Sequence, residues 1–158
     1  MRSFRFVHAS DLHLNSPFQG LSADMPDAIR SIVLESTFAA YENIIDMCLK
    51  EEVAALLIAG DVYDGANRDL DAQLRFIAGL ERLNDKGIKS FVCHGNHDPL
   101  DGWQYSVDFP EPNCFRFQGE AGTFPIFDDD GHKVFVHGIS YPRREVRENL
   151  IPYFAGLE

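Results

Sequence analysis

Apolar residues along the chain recur with two different periods, and the change of period predicts the secondary structure. Short apolar segments at residues 4–9, 53–59 and 88–93 have the length and composition of buried β-strands. Between them, residues 27–50 and 70–83 place apolar side chains three and four positions apart, which predicts two helices. Strands that alternate with helices are joined by right-handed crossovers and form a parallel sheet covered by helices. The predicted fold class is therefore α/β.

The pattern changes after the third predicted strand, where proline and other turn-forming residues become frequent. We expect residues 100–123 to be mostly loop, with one short strand at 114–117. Two further apolar segments, 123–127 and 133–139, flank an Asp-Asp-Asp-Gly sequence and predict a β-hairpin. A last helix is expected at residues 143–154.

Composition narrows the classes of function that the chain can have. We interpret residues 1–158 as one domain, with 45% hydrophobic residues available to build its core. Fourteen basic and twenty-five acidic residues give a net charge of −11. A polyanion is repelled by this charge unless something local reverses the field. The charge balance therefore argues against a simple electrostatic nucleic-acid binder.

The cysteines and the N-terminal sequence bear on the cellular compartment. Cys48, Cys93 and Cys114 show no CxxC spacing, and we expect reduced, buried thiols. The opening sequence MRSFRFVHASDLHL has no uninterrupted apolar segment of the kind that a secretory signal needs. No later segment approaches the roughly 18 apolar residues of a membrane-spanning helix. We expect a cytoplasmic, soluble protein with no membrane partner.

Polar residues follow each of the first three predicted strands. The motif DLH comes after the first strand, GDVYD after the second and GNHD after the third. Since the carboxyl ends of parallel strands form one edge of a sheet, where such folds bind ligands, the three motifs should meet there. Each motif alone has an ordinary structural interpretation, because Asp and His often cap helices and Gly-Asp is common in turns. Their combination in this order favours a two-metal site.

The residue types and spacings predict how two ions would be held. Asp11 and His13 are two positions apart, so in extended backbone both side chains point the same way and can hold one ion. Asp61 can bridge to a second ion, for which Asn96 offers its side-chain oxygen. His97 would face away from Asn96 in extended backbone, which leaves it available for proton transfer. Oxygen and nitrogen ligands suit manganese, iron or zinc.

Two metal ions in this position predict a reaction. A pair of ions about 3.5 to 4 Å apart is commonly used to hydrolyse phosphate esters, since it binds the phosphate oxygens and activates a bridging water. The leaving oxygen then needs a proton, and histidine is the side chain that exchanges protons near neutral pH. The sequence therefore predicts metal-dependent phosphate-ester hydrolysis in which His97 assists the leaving group.

The motifs DLH, GDVYD and GNHD together resemble those of the calcineurin-like metallophosphoesterases. FVHASDLHL, SPFQGL and VHGISYPRREV are similar to segments of the SbcD-like DNA-repair exonucleases, so the resemblance covers nearly the whole chain. It implies a sandwich of two β-sheets flanked by helices, manganese as the metal, DNA as the substrate and an SMC-like ATPase as a partner. It also implies that Asp64 orients His97, and that the four ligands named above bind the metals.

One part of the family pattern has no counterpart in this sequence. The resemblance implies three further histidine ligands, one alone and two in a Gly-His-x-His pair, and no GHxH occurs here. The remaining candidate ligands are fewer than the six or so that hard divalent ions prefer. We therefore expect the N-terminal portion of a longer catalytic domain, with uncovered sheet edges that favour homodimerisation. A phosphomonoesterase, a small-molecule phosphodiesterase and a non-catalytic interaction module remain alternative functions.

Overall fold

A central parallel sheet organises the part of the chain that the structure describes. In this computed structural model, that part comprises residues 3–16, 25–65, 70–101, 107–129 and 132–157, so all but the first residue of the SPFQGL segment lies outside it. The four strands of the sheet, in spatial as well as sequence order, are β1 (Phe6–Ala9), β2 (Ala55–Ala59), β3 (Lys89–Cys93) and β4 (Cys114–Arg116). Every neighbouring pair is parallel, which confirms the predicted α/β class.

Two helices cover one face of this sheet. They are α1 (Asp27–Lys50) and α2 (Leu70–Asn84), and both lie within one residue of the predicted bounds. In the shared apolar core the Tyr41 and Phe76 rings lie 5.4 Å apart, and the Tyr41 hydroxyl donates to the Phe76 carbonyl oxygen at 2.7 Å. Gly79 allows this contact, because a Cβ there would lie 2.6 Å from Tyr41 Cε1. Neither helix is apolar over a length that could cross a membrane.

A two-stranded antiparallel sheet packs against the opposite face of the central sheet. Its strands, β5 (Gly122–Asp129) and β6 (His132–Gly138), confirm the predicted hairpin, while residues 130 and 131 of the turn lie outside the described residues. The apolar core between the two sheets contains Phe91, Phe117 and Ile126. Burying an apolar side chain of this size stabilises the fold by roughly 1.5–3 kcal/mol. The helices, the central sheet and the second sheet form the layers of the predicted sandwich.

The predicted helix at residues 143–154 is wrong. Only a short 3-10 helix, Ile151–Phe154, forms in this region. The residues before it make local contacts instead, such as the ion pair at 2.9 Å between the Arg147 guanidinium and the Glu145 carboxylate. Pro152 lacks a backbone N–H and disfavours helical geometry in the residue before it, so an α-helix through this segment would be interrupted.

Strand β1 lies at an edge of the central sheet, and the apolar residues at its start are partly exposed. Phe6 is 53% exposed and Phe4, two residues earlier, is 37% exposed. An edge strand also presents unpaired backbone N–H and C=O groups. An edge strand with exposed apolar side chains is therefore present, and homodimerisation through it stays a prediction.

Candidate metal centre

The loops after the first three strands lie side by side at one edge of the sheet. Pairing of β1 with β2 ends at Ala9 and Ile58, and pairing of β2 with β3 ends at Ala59 and Cys93. Beyond the strands, the DLH and GDVYD segments stay aligned through backbone hydrogen bonds from Asp11 N to Gly60 O (3.2 Å), His13 N to Asp61 O (3.0 Å) and Leu14 N to Val62 O (2.9 Å). These backbone hydrogen bonds fix the positions of the two motifs relative to each other.

Three of the predicted metal ligands lie together at this edge. Asp11, His13 and Asp61 each offer one ligand atom, and these atoms all lie within 4.8 Å of one another. Two carboxylates and an imidazole at such distances fit a divalent ion such as manganese, iron or zinc. Asp11 is exposed and the other two side chains are half-buried, so an ion can reach the group from solvent. We call these three residues the first-ion group.

The backbone of the first-ion group is not extended, and the strand geometry expected for Asp11 and His13 is wrong. Asp11, His13 and Asp61 have φ values of 56°, 44° and 52°. Left-handed backbone is uncommon for residues other than glycine, and such strained positions cluster at active sites and ligand clamps. The side chains of Asp11 and His13 therefore meet through two left-handed residues, and the alternation of an extended strand does not explain their proximity.

Two glycines allow the second and third loops to touch. Gly60 has a φ of +92°, and a Cβ there would lie 3.2 Å from the Cα of Gly95. A Cβ on Gly95 would overlap Asp61 Oδ1 and lie 2.8 Å from Asp61 Cγ. Glycine is therefore needed at position 60 for its backbone conformation and at position 95 for the close approach of the Asp61 carboxylate.

His97 lies directly beside the first-ion group. Its backbone N–H donates to Asp61 Oδ1 at 2.9 Å, and its ring centroid lies 5.0 Å from that of His13. Its Nδ1 faces Asp64 Oδ1 at 3.4 Å, which is the pairing that the family resemblance implies. The distance is long for a hydrogen bond, and catalytic contacts often shorten only when substrate is bound. His97 is 38% exposed, so its ring is accessible to a ligand in solvent.

Asn96 is exposed and connects two neighbouring clefts. One cleft, of about 380 Å³, is also lined by Asp61, and the other, of about 360 Å³, is also lined by Asp64 and His97. Asn96 and His97 lie in a bend rather than in extended backbone, so strand alternation is not what separates their roles. The structure thus places Asn96 within reach of both the Asp61 side and the His97 side of the centre.

A buried carboxylate that was not among the predicted site residues holds the centre together. Asp98 is 0% exposed, and its two oxygens accept hydrogen bonds from the backbone N–H groups of Gly95 (2.7 Å), Asp61 (3.2 Å) and Val62 (3.0 Å). Asp98 Oδ2 also lies 3.0 Å from Nδ1 of the buried His94. The signal in the sequence is the final Asp of GNHD, but a carboxylate in a loop is ordinarily expected to face solvent.

Burial near the centre changes the protonation of its neighbours. Desolvation raises the pKa of the Cys93 thiol to about 11, and the nearby Asp98 carboxylate adds to this. Desolvation and the Asp98 charge likewise raise the pKa of the Tyr63 hydroxyl. Both groups are therefore neutral near pH 7 in the metal-free protein.

Comparison with known proteins agrees with this geometry. The sequence profile of the calcineurin-like phosphoesterases matches residues 4–153. An uncharacterized metallophosphoesterase, YhaO of Bacillus subtilis, is 41% identical over 145 residues, which cover 91% of this chain and 35% of that protein. The SbcD component of the nuclease SbcCD from the same organism is 28% identical over 156 residues, covering 93% of this chain and 36% of that protein.

A third relative comes from an archaeon. The DNA double-strand break repair protein Mre11 of Aeropyrum pernix is 30% identical over 94 residues, which cover 60% of this chain and 21% of that protein. The chain spans about a third of the length of the two Bacillus relatives, at 35% and 36%. Because the family profile covers nearly all of the 158 residues, the chain belongs to the calcineurin-like phosphoesterase family.

Proposed function

We propose that the chain carries the metal site and the leaving-group histidine of a metal-dependent phosphodiesterase of the DNA-repair nuclease type. The observation that carries the proposal is the position of His97 and its Asp64 neighbour directly beside the first-ion group. The nuclease type is supported by the names of two relatives, a nuclease component and a DNA double-strand break repair protein.

In this proposal Asp11 and His13 bind the first ion, Asp61 bridges, and Asn96 contributes an oxygen to the second ion. When bound, the ions supply charge that binds the phosphate oxygens and makes a water more acidic. Manganese is the metal we propose, because carboxylate and amide oxygens are prominent in the ligand set. The left-handed backbone at Asp11, His13 and Asp61 places the ligand atoms of the first-ion group within 4.8 Å of one another.

His97 donates a proton to the leaving oxygen in this mechanism. Its Nδ1 faces Asp64, so a proton on Nδ1 is held by the carboxylate and Nε2 is the nitrogen that delivers a proton to a ligand. Asp64 stabilises the charged imidazolium form before the transfer. A general acid placed in this way contributes roughly 10²- to 10⁴-fold to the rate.

Two further points of the proposal concern substrate and partner. DNA is the proposed substrate, and an SMC-like ATPase is the proposed partner that could supply a basic surface for it. A phosphomonoesterase is the second candidate, favoured by the net charge of −11, which disfavours long polyanions. Manganese-dependent hydrolysis of single-stranded DNA, set against hydrolysis of p-nitrophenyl phosphate, separates the two candidates.

The decisive experiment combines calorimetric titration of manganese with activity assays on three variants. We expect His97→Ala to bind manganese as the unmodified chain does and to lose roughly 10²- to 10⁴-fold in hydrolysis rate. Asp61→Ala should lose both binding and activity. His137→Ala is the control, since His137 is exposed and its Nδ1 contacts Thr123 Oγ1 at 2.8 Å on the second sheet.

Two results would contradict the proposal. Loss of manganese binding in His97→Ala would make this histidine a ligand and not a proton donor. Manganese bound without hydrolysis of either substrate would favour the interaction module. The number of ions bound at saturation also matters, because two per chain would support the two-ion mechanism for this chain alone.

A further inference from the structure

A basic side chain lies in the same cleft as the proposed proton donor. This cleft, of about 360 Å³, is lined by Asp64, Gly65, Asn96, His97, Pro99, Asp101 and Arg144. Arg144 is exposed and is the one basic residue of that lining other than histidine. Since His97 acts on the leaving oxygen in the proposed function, Arg144 lies on the leaving-group side of the centre.

The position of Arg144 follows from backbone contacts. The segment just before it is joined to the loop that carries His97 by hydrogen bonds from Tyr141 N to His94 O (2.9 Å), Leu100 N to Tyr141 O (2.9 Å) and Asp101 N to Pro142 O (3.0 Å). The buried hydroxyl of Ser140 also accepts a hydrogen bond from His94 N at 3.0 Å. Arg144, two residues after Pro142, is thereby kept beside the cleft by the fold.

Three other arginines are engaged by acidic side chains. Arg147 pairs with the Glu145 carboxylate at 2.9 Å, and Arg75 and Arg82 pair with acidic residues of α1 at 2.6 Å each. Among the residues that the structure describes, no hydrogen bond or ion pair engages the Arg144 guanidinium, although Asp64 and Asp101 line the same cleft. Its five N–H donors are therefore available to a ligand.

An available guanidinium in an acidic protein has a consequence for substrate choice. The net charge of −11 repels a polyanion, so a positive side chain near the reacting phosphate favours the binding of nucleic acid. A guanidinium can hold a phosphate through two parallel N–H···O bonds, which fixes both position and orientation. A substrate with a single phosphate would place that phosphate at the ions and leave Arg144 without a partner.

We propose that Arg144 binds the phosphate next to the cleaved one, on the leaving-group side of a nucleic-acid strand. The inference rests on the proposed function, and it makes Arg144 a specificity residue that favours strands over single phosphate esters. The ligand class is a phosphodiester chain with at least two consecutive phosphates.

The test measures binding separately from cleavage. Binding of a fluorescein-labelled oligothymidylate is followed by fluorescence anisotropy, with manganese present and at several salt concentrations. The proteins compared are His97→Ala and its double variants with Arg144→Gln, Arg144→Lys and Arg147→Gln. Arg144→Gln should raise Kd about tenfold and reduce the salt slope by about 0.7, the value for one phosphate contact to a single strand. Arg144→Lys should keep the salt slope and lose affinity, because lysine does not bind two phosphate oxygens in a fixed fork.

The matched control is Arg147→Gln, which removes the same charge from the same segment and should change Kd less than twofold. Equal Kd values and salt slopes for Arg144→Gln and Arg147→Gln would overturn the inference. In proteins that retain His97, kcat/KM is measured for the oligonucleotide and for bis(p-nitrophenyl) phosphate. Arg144→Gln should lower the ratio of the first value to the second about tenfold, because one phosphate contact is lost with the oligonucleotide alone. An equal fall for both substrates would also overturn it, since Arg144 would then act on the scissile phosphate.

The two failures can be told apart. If the unmodified chain hydrolyses neither substrate, the proposed function fails, while the anisotropy difference between Arg144→Gln and Arg147→Gln still decides the role of Arg144. If the chain hydrolyses bis(p-nitrophenyl) phosphate and does not bind the oligonucleotide, the proposal for Arg144 fails and the phosphoesterase activity stands.

Discussion

Replacing Asp98 with asparagine keeps the shape of a buried side chain and removes its charge. In the structure Asp98 Oδ1 accepts from Gly95 N and Asp61 N, while Oδ2 accepts from Val62 N and faces His94 Nδ1. Asparagine has one oxygen, so its NH₂ group must take the place of one carboxylate oxygen. There it meets a backbone N–H, which cannot accept a hydrogen bond from it.

The size of the effect follows from these contacts. A hydrogen bond to a charged group contributes about 1.5–3 kcal/mol, and a buried donor without a partner adds a desolvation cost of similar size. With one or two of the four contacts of Asp98 lost, we expect the free energy of unfolding to fall by about 3 kcal/mol. Total stabilities are typically about 5–15 kcal/mol, so this is a large fraction. The melting temperature should fall by about 6–12 °C for a chain of this length.

Urea unfolding followed by circular dichroism measures this change, and Asp128→Asn is the matched control. The Asp128 carboxylate is 52% exposed and lies 3.6 Å from Lys133 Nζ, so its loss should cost less than about 1 kcal/mol. Asp98→Asn should also weaken manganese binding, because the backbone of Asp61 and Gly95 is no longer held. A loss of stability no larger than that of the control would refute the view that Asp98 anchors the two loops.

Two further predictions concern the close contact at Gly95 and the three thiols, of which Cys48 is buried as expected while Cys93 and Cys114 are half-buried. Gly95→Ala should weaken manganese binding at least tenfold, because the added Cβ displaces the Asp61 carboxylate. The control is Gly87→Ala, since Gly87 has a φ of +70° and a Cβ there would meet no atom within 4 Å. This control should lower the free energy of unfolding by about 1–2 kcal/mol and leave the manganese affinity measured by calorimetry unchanged. Burial raises the pKa of Cys48 and Cys93 to about 11 and of Cys114 to about 12, from 9.0. The unfolded chain then loses these protons first, so the contribution of the thiols to the free energy of unfolding should be constant well below pH 9 and fall as pH rises toward 12. Native thiolate absorbance that titrates with a midpoint near pH 9 would contradict this.

The elements of the central sheet could be predicted because their signal is local. Both helices repeat apolar residues at helical spacing, and both strands that lie inside the sheet are short apolar segments. The motif after each strand then met the others, since parallel order alone brings the strand ends to one edge. The C-terminal segment lacked such a signal, and its charged residues pair locally instead of lining one face of a helix.

The geometry of the centre could not be predicted from the same patterns. Asp11, His13 and Asp61 adopt left-handed backbone. Glycine is the strong sequence signal for this conformation, whereas Asp and His are only enriched in it and usually adopt other conformations. The burial of Asp98 could not be predicted because a charged residue is ordinarily exposed, and it is explained by three backbone N–H groups and the His94 ring that contact its carboxylate. Arg144 depends on contacts between segments more than forty residues apart, such as Tyr141 N to His94 O, which no local pattern contains.

These unpredicted features depend on one another. Each left-handed residue of the first-ion group costs about 1–3 kcal/mol, and such a conformation persists only where surrounding contacts determine it. At Asp61 those contacts are visible: its carbonyl oxygen accepts from His13 N, its N–H donates to Asp98, and its carboxylate accepts from His97 N. The buried Asp98 therefore stabilises the strained backbone that brings the metal ligands together. Asp98, the final residue of GNHD, therefore supports the metal centre by binding the backbone N–H groups of Asp61 and Val62 in GDVYD. It offers no ligand atom to the first-ion group.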